Sequence, residues 1–492
     1  MSAMLRIAWF SPLPPVRSGI AAYSTELLPL IAGRYRIDVF VDGSVENGPL
    51  RKCPAGTAVY SAHDFVWMHL REPYDLVVYQ LGNARCHDYM WPFLFRYPGL
   101  VVLHDGQLHH ARAQLLLTRG RTDEYREEFR YNHPHAPAGV AELVIATLAG
   151  SLYYFWPMLG TVVRSARTLA VHSPWLAGQL REEFPGATIA TLRMGVADPS
   201  AKAPAAEVAD PGRVNMGSDP FSQVRLKIGR ADEPSGPHIR ARHGIPLDSI
   251  VFAAYGLVTP EKRIPVLLNV FAEVAHDRPA ARLMLVGETT DYYDVASDAR
   301  QLGVDDRVII TGYVSDEELP EYLEAADVCL CLRWPTSRET SASWLRALAA
   351  GRPTITTDLL HTLHVPGLDP RSWTAVEVVR SGAAGGGAAE VEPPVTVGVD
   401  ILDERHSLLL AMRRLAVDAT LRREIGQAAR RYFEREHTLQ RMADDYVAVI
   451  GQALGAGAPA TAELPRHLRA DGTDLARRLT AELGYELDLF ER

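Results

Sequence analysis

Cysteine is scarce in this chain: Cys53, Cys86, Cys329 and Cys331 are the only four in 492 residues. So few thiols exclude the disulfide framework that holds small secreted domains together. Basic residues are also outnumbered, with 51 Lys and Arg against 60 Asp and Glu and a formal net charge of −9. That balance argues against a nucleic-acid partner and against broad adhesion to anionic lipid, leaving at most a local, peripheral membrane contact. No stretch approaches the roughly 20 uninterrupted apolar residues of a membrane span. The chain begins Met-Ser-Ala-Met-Leu-Arg and enters an apolar run at once, without the separated basic and apolar regions of a secretory signal, so the expected location is cytoplasmic. A GxGxxG fingerprint and a Walker A motif are both missing.

What is present is an ordinary globular composition, 47% apolar and 23% charged, in a chain long enough for two or three domains. Short apolar runs alternate with amphipathic stretches: Leu5–Phe10, Ile37–Val41, Leu76–Tyr79, Leu100–His104, Thr168–His172 and Thr188–Leu192. A helical pattern follows the first run over about Ile20–Ile31. Continuous apolar runs separated by helices predict a parallel sheet buried on both faces. The rhythm stops near Val196 in a stretch rich in Pro, Ala, Gly, Ser and Asp. It restarts with Ile250–Tyr255, Arg282–Val286, Val308–Thr311, Val328–Leu332 and Thr354–Thr357. The fold class is therefore α/β, with two Rossmann-like domains. The predicted divisions are 1–196, a linker or insertion over 197–245, a second domain over 246–430, and C-terminal helices over 431–492 that partly return to the first domain. Ser381–Ala389 reads as a solvent loop, and 462–492 as one or two amphipathic helices. Cys329 and Cys331 share one face of a strand and read as buried thiols.

Ligands of open parallel sheets bind at the carboxyl ends of strands, where loops lead into helix N-termini. Four such loops carry chemistry. Ser11–Tyr23 holds Gly19 just before a helix, where backbone N–H groups can approach an anion. Leu103–His110 holds His104, Asp105, His109 and His110, whose spacing matches no familiar metal site. Tyr255–Arg263 holds Gly256 and the adjacent cations Lys262 and Arg263, suited to a diphosphate. Trp334–Pro353 holds Glu339, then the small residues Thr340, Ser341, Ala342 and Ser343 before a helix, a natural anion site. Each loop also has a purely structural reading: a tight turn at Gly19, a core histidine at 104, a solvated pair at 262 and 263, and Thr340 or Ser341 as a helix N-cap.

Together these loops resemble the retaining, family 4 (group 1) glycosyltransferases of GT-B fold, over residues 4–196 and 245–450. The segments that carry the resemblance most strongly are Asp306–Val328 and Pro335–Thr357, with Ser11–Tyr23 and Leu421–Arg431 in support. The sequence departs from the family pattern at two places. Leu257 stands where an Arg would precede Lys262, and Arg346 stands where the second of two glutamates is expected.

The resemblance implies two domains facing each other across a cleft, the first binding an acceptor and the second a nucleotide-diphosphate sugar. It implies no metal and no cofactor, and no protein nucleophile. Gly19 would approach the donor diphosphate and His104 would lie beside the donor sugar. Lys262, with Arg263 and the Gly256 turn, would stabilise the departing diphosphate. Glu339 would bind sugar hydroxyls, the backbone of Thr340, Ser341, Ala342 and Ser343 the phosphates, and that of Gly312, Tyr313 and Val314 the base. Asn83 would lie on the side of the acceptor, which is a small molecule, a glycan or a lipid-linked group. Two other readings stay open: a further GT-B enzyme such as a nucleotide-sugar epimerase or phosphorylase, and a degenerate transferase acting as a binding partner.

Overall fold

A computed structural model describes residues 4–43, 54–137, 139–148, 150–200, 236–376, 392–459 and 463–469. The solvent loop expected at 381–389 and most of the expected linker and tail lie outside the described residues.

The first half is a seven-stranded parallel sheet. Its strands are β1 (Arg6–Phe10), β2 (Arg36–Val41), β3 (Thr57–Ser61), β4 (Leu76–Leu81), β5 (Leu100–Leu103), β6 (Thr168–Val171) and β7 (Ile189–Thr191). They run in the order β3-β2-β1-β4-β5-β6-β7. β1, β4, β5 and β6 are buried along their whole length, as strands covered by helices on both faces must be. The helix Gly19–Ile31 follows β1, capped by the Ser18 hydroxyl, which accepts from the Ile20 N–H.

The second half repeats the plan with β8 (Val251–Tyr255), β9 (Arg282–Val286), β10 (Val308–Ile310), β11 (Val328–Cys331), β12 (Thr354–Asp358), β13 (Gly367–Leu368) and β14 (Thr396–Asp400). Their order is β10-β9-β8-β11-β12-β14-β13, again all parallel. In each sheet the order reverses beside the first strand, between β1 and β4 and between β8 and β11, which opens a crevice at the carboxyl ends.

Every predicted strand is present, and β3, β13 and β14 are additional. The helix Gly236–Arg242, inside the expected linker, packs on the helix Leu319–Ala325, and its Ile239 is fully buried in the second half's core. That half therefore starts earlier than the composition suggests, because the core accepts this short amphipathic turn. A group of short helices between β5 and β6 was also not foreseen. Tyr125, Phe129, Leu116 and Met158 give it a small core of its own.

The halves meet at a crossing near Val196. Its N–H donates to the carbonyl of His437 at 3.1 Å, and Val196 pairs with Thr438. From there the helix Leu439–Gly455 runs back over the first sheet. Its Tyr446 hydroxyl lies 2.9 Å from that of Tyr23 and 3.0 Å from the amide of Gln80. Arg193 closes the same seam with a bidentate bond to Asp445 at 2.7 and 2.8 Å. Among the described residues no helix is long and apolar enough to cross a membrane.

Candidate active site

β8 ends in a turn that dictates where its lysine goes. Gly256 has φ +85°, a left-handed conformation that favours glycine. The short helix Pro260–Lys262 then folds back so that the Lys262 ammonium lies against Gly256 and donates to the carbonyl of Tyr255. Lys262 is one of only four lysines in the chain. Burial, and then the nearby Arg333, push its amine down to about 7.

β11 runs on into Arg333, whose backbone N–H is fixed by the Thr357 hydroxyl at 3.0 Å. Its guanidinium pairs with Glu339 at 2.6 Å. The other oxygen of Glu339 accepts from the Thr336 hydroxyl at 3.1 Å. Next comes the helix Ala342–Ala349, capped by Ser341, whose hydroxyl accepts from the Trp344 N–H. Lys262, Arg333, Glu339, Thr340, Ser341 and Ser343 all line one pocket, and His172 joins them from the first half. Two cations and a helix N-terminus thus converge on one opening, which is the arrangement that holds a dianion.

Across the opening, β5 delivers Asp105. Burial, and then the charge of Glu339, raise its carboxyl to about 6. One oxygen accepts from the Asn83 N–H at 2.7 Å. The halves touch here, with the Gly106 N–H donating to the carbonyl of Ser337 at 2.6 Å. They touch again where Arg17 stacks 4.3 Å over the Tyr313 ring and where Arg346 meets Glu26 at 3.0 Å.

Several expected residues sit elsewhere. Arg263 does not back up Lys262. It occupies a left-handed turn at φ +60°, and its guanidinium binds Glu404 at 2.7 and 2.5 Å, because that nearly buried carboxylate needs a cation. Arg333 provides the second charge instead. It was missed because it lies far from Lys262 in sequence; its position at the end of β11 was the available signal.

His104 does not line the pocket. Its ring meets Tyr23 edge-on and Gln80 at 2.9 Å, while His172, 3.3 Å from it, lines the pocket in its place. Burial holds His172 neutral, lowered to about 4. Asn83 spends its side chain on the segment after β5, accepting from the Ala111 N–H in the helix His109–Leu117 and donating to Gln107 in the loop before it. His109 bonds the Tyr125 hydroxyl at 2.7 Å inside the helical insertion, so it does not converge with His104. Among the described residues no group of three or more His, Cys, Asp or Glu is arranged to hold a metal.

Gly19 faces open space, with nothing within 4 Å of a Cβ built on it. Gly312, at φ +72°, and Tyr313 and Val314 follow β10; they do not line the pocket, and Tyr313 is exposed beneath Arg17. Cys329 is buried, whereas Cys331 lines the pocket.

Comparison with known proteins bears on this geometry. Residues 248–369 match the family model described as glycosyl transferases group 1. Mannosylfructose-phosphate synthase of Agrobacterium fabrum is 34% identical over 128 residues, 24% of this chain and 27% of that protein. The match thus spans about a quarter of that relative's length. Sucrose-phosphate synthase from Thermosynechococcus elongatus superposes with a TM-score of 0.56 at 16% identity, over 91% of this chain and 98% of that one. HepE of Anabaena, solved in complex with UDP, superposes with a TM-score of 0.55 at 13% identity, over 91% and 100%. The fold is that of the GT-B glycosyltransferases, and the segment that matches the group 1 model lies in its second half.

Proposed function

We propose that this GT-B chain transfers a sugar, with retention, from a nucleoside-diphosphate sugar to an acceptor bound against the first half, without a metal ion. The observation that carries the reading is the convergence of Lys262 and Arg333 on the N-terminus of the helix Ala342–Ala349. A departing diphosphate needs positive charge that is in place before the bond breaks. Lys262, Arg333 and the first N–H groups of that helix provide it without an ion. HepE is a GT-B neighbour solved with UDP and, separately, with UDP-glucose, which supports a donor of the same kind here.

Lys262 holds the phosphates in its protonated form, which an incoming dianion stabilises. Glu339, oriented by Arg333 and Thr336, accepts from hydroxyls of the donor sugar. The contact between Gly106 and Ser337 closes the cleft beside Glu339 and keeps water from the anomeric carbon. The attacking hydroxyl approaches the face from which the diphosphate leaves and gives its proton to a departing phosphate oxygen, so no protein nucleophile is needed. The acceptor is a small molecule, a glycan or a lipid-linked group.

A panel of UDP-, GDP- and dTDP-sugars, read by thermal shift and by donor hydrolysis, tests this. One nucleotide series should stabilise the protein and be slowly hydrolysed. Lys262→Ala should abolish turnover while leaving the fold intact. The absence of nucleotide binding from the whole panel would overturn the reading.

A further inference from the structure

The pocket does not end at the cations. It continues past Thr356 in β12 and Thr396, the first residue of β14, to His361, His364 and His437. Nothing in the transfer reaction above uses this inner end.

The polar side chains there are threonines, histidines and the carboxyl of Asp358 at the end of β12, so this end carries no positive charge. His437 is buried, and its Nδ1 lies 2.8 Å from the carbonyl of Met194. A carbonyl only accepts, so Nδ1 carries the proton and Nε2 keeps its lone pair. That Nε2 is buried and has no hydrogen-bond partner, which native structures rarely tolerate without a reason. Burial lowers the ring to about 4, so it stays neutral and accepting at physiological pH. Burial likewise lowers His361 and His364. Among the described residues, Lys262 and Arg333 are the only cations that line the pocket, and Glu339 pairs with one of them.

His437 is also part of the crossing between the halves. Its carbonyl accepts from the Val196 N–H, and the next residue, Thr438, presses on Gly195 so closely that a Cβ there would stand 2.5 Å from the Thr438 carbonyl oxygen. A ligand group held by His437 would therefore bear on the crossing itself.

We propose that the inner end of the pocket is a subsite for a hydrogen-bond-donating group of the donor's sugar, a hydroxyl or an amide N–H, accepted by His437 Nε2, and that filling it stiffens the crossing. This rests on the sugar-transfer reading above. A carboxylate on the sugar would meet the lone pair of His437 Nε2 and the carboxyl of Asp358 there, and no cation. Neutral hexoses and N-acylated amino sugars therefore fit, and uronic acids do not.

The test uses the full chain and His437→Asn. The Asn amide can keep the bond to Met194 while removing the acceptor at Nε2. Binding is measured for UDP, UDP-glucose, UDP-glucuronate and the monodeoxy analogues of UDP-glucose, or for the GDP-mannose equivalents if the wild type takes the guanine nucleotide. UDP-glucose should bind His437→Asn about five- to tenfold more weakly and UDP equally well, the loss expected for one hydrogen bond. One monodeoxy analogue should bind the wild type more weakly by a similar factor, and bind His437→Asn no worse than UDP-glucose does. UDP-glucose should protect the amides of residues 194–197 and 437–439 from hydrogen exchange more than UDP does. Equal losses for UDP and UDP-glucose overturn the subsite, as does a full additive loss for every deoxy analogue. If the Asn variant does not fold, the wild type still decides: glucuronate binding as tight as glucose, or no deoxy analogue weaker than its parent, also overturns it. Failure of the transfer reading is distinct, because the wild type would then bind no nucleotide at all.

Discussion

The ammonium of Lys262 occupies the space that a Cβ on Gly256 would fill. The glycine therefore does two things. It accepts the left-handed turn that ends β8, and it leaves a berth that aims the lysine into the pocket. Gly256→Ala should strain the turn by about 1–3 kcal/mol and push the ammonium aside. Donor affinity should fall at least about tenfold, with a melting temperature lower by several degrees. Calorimetry on the folded variant checks this; wild-type donor affinity would show that Lys262 does not need the berth.

The same burial makes donor binding depend on pH in one direction. The amine of Lys262 is lowered to about 7 in the empty site, so above that pH it is neutral before the donor arrives. A bound diphosphate favours the charged amine, so binding above pH 7 must take up a proton. Affinity should be flat with respect to this group below about 7. It should then weaken by up to about tenfold per unit as pH rises, until the amine of the complex itself titrates. Titrations of UDP in buffers of different ionisation enthalpy would detect the uptake. No uptake at pH 8 would remove Lys262 from the diphosphate.

Both sheets were legible in the sequence because parallel strands covered on two faces are written as unbroken apolar runs, and Trp9, Val78, Phe252 and Leu330 lie where such runs put them. The strand β3 escaped notice because it is an edge strand, half-exposed throughout and less sharply patterned. In the site, Lys262, Glu339 and the cap at Ser341 could be read because each lies in a loop directly after a strand. Arg333 and His172 also directly follow strands, β11 and β6, but that position alone does not single them out. What brings them into the pocket is the pairing of β11 with β12 and the approach of β6 from the other half, relations between distant segments. Arg263 misled for the opposite reason: adjacency in sequence suggested a pair, while the turn at φ +60° sends its side chain to Glu404.

Arg333 and Glu339 should be unequal partners. Arg333→Met removes a cation from the leaving group and leaves Glu339, mostly buried, without its counter-charge. Turnover should fall by a factor of about a hundred or more, and Arg333→Lys should recover only part of it, since a lysine lacks the planar fork. Glu339→Gln keeps the shape and should act mainly on donor discrimination, raising KM for the sugar nucleotide more than the Kd for the bare nucleotide. Steady-state kinetics of the three variants check this. A lysine variant as fast as the wild type would mean that only charge is required at this position.

Arg346 does not point into the pocket. It reaches back to Glu26 on the helix Gly19–Ile31 at 3.0 Å, and Glu26 also accepts from the Ala197 N–H where the chain leaves the first half. Arg346 thus joins the two halves. Both side chains are mostly shielded, at 18% and 22% exposed, so the pair should be worth somewhat more than a surface bridge, about 1 kcal/mol. Arg346→Glu sets two carboxylates against each other and should widen the cleft, raising the radius of gyration in solution scattering and KM for the donor by several-fold. Adding Glu26→Arg to that variant should restore both quantities, because reversing both charges recreates the attraction across the same gap. If the double variant is no better than the single one, Arg346 acts through something other than Glu26, and the nearer alternative is Asp316, 3.7 Å away on its own half.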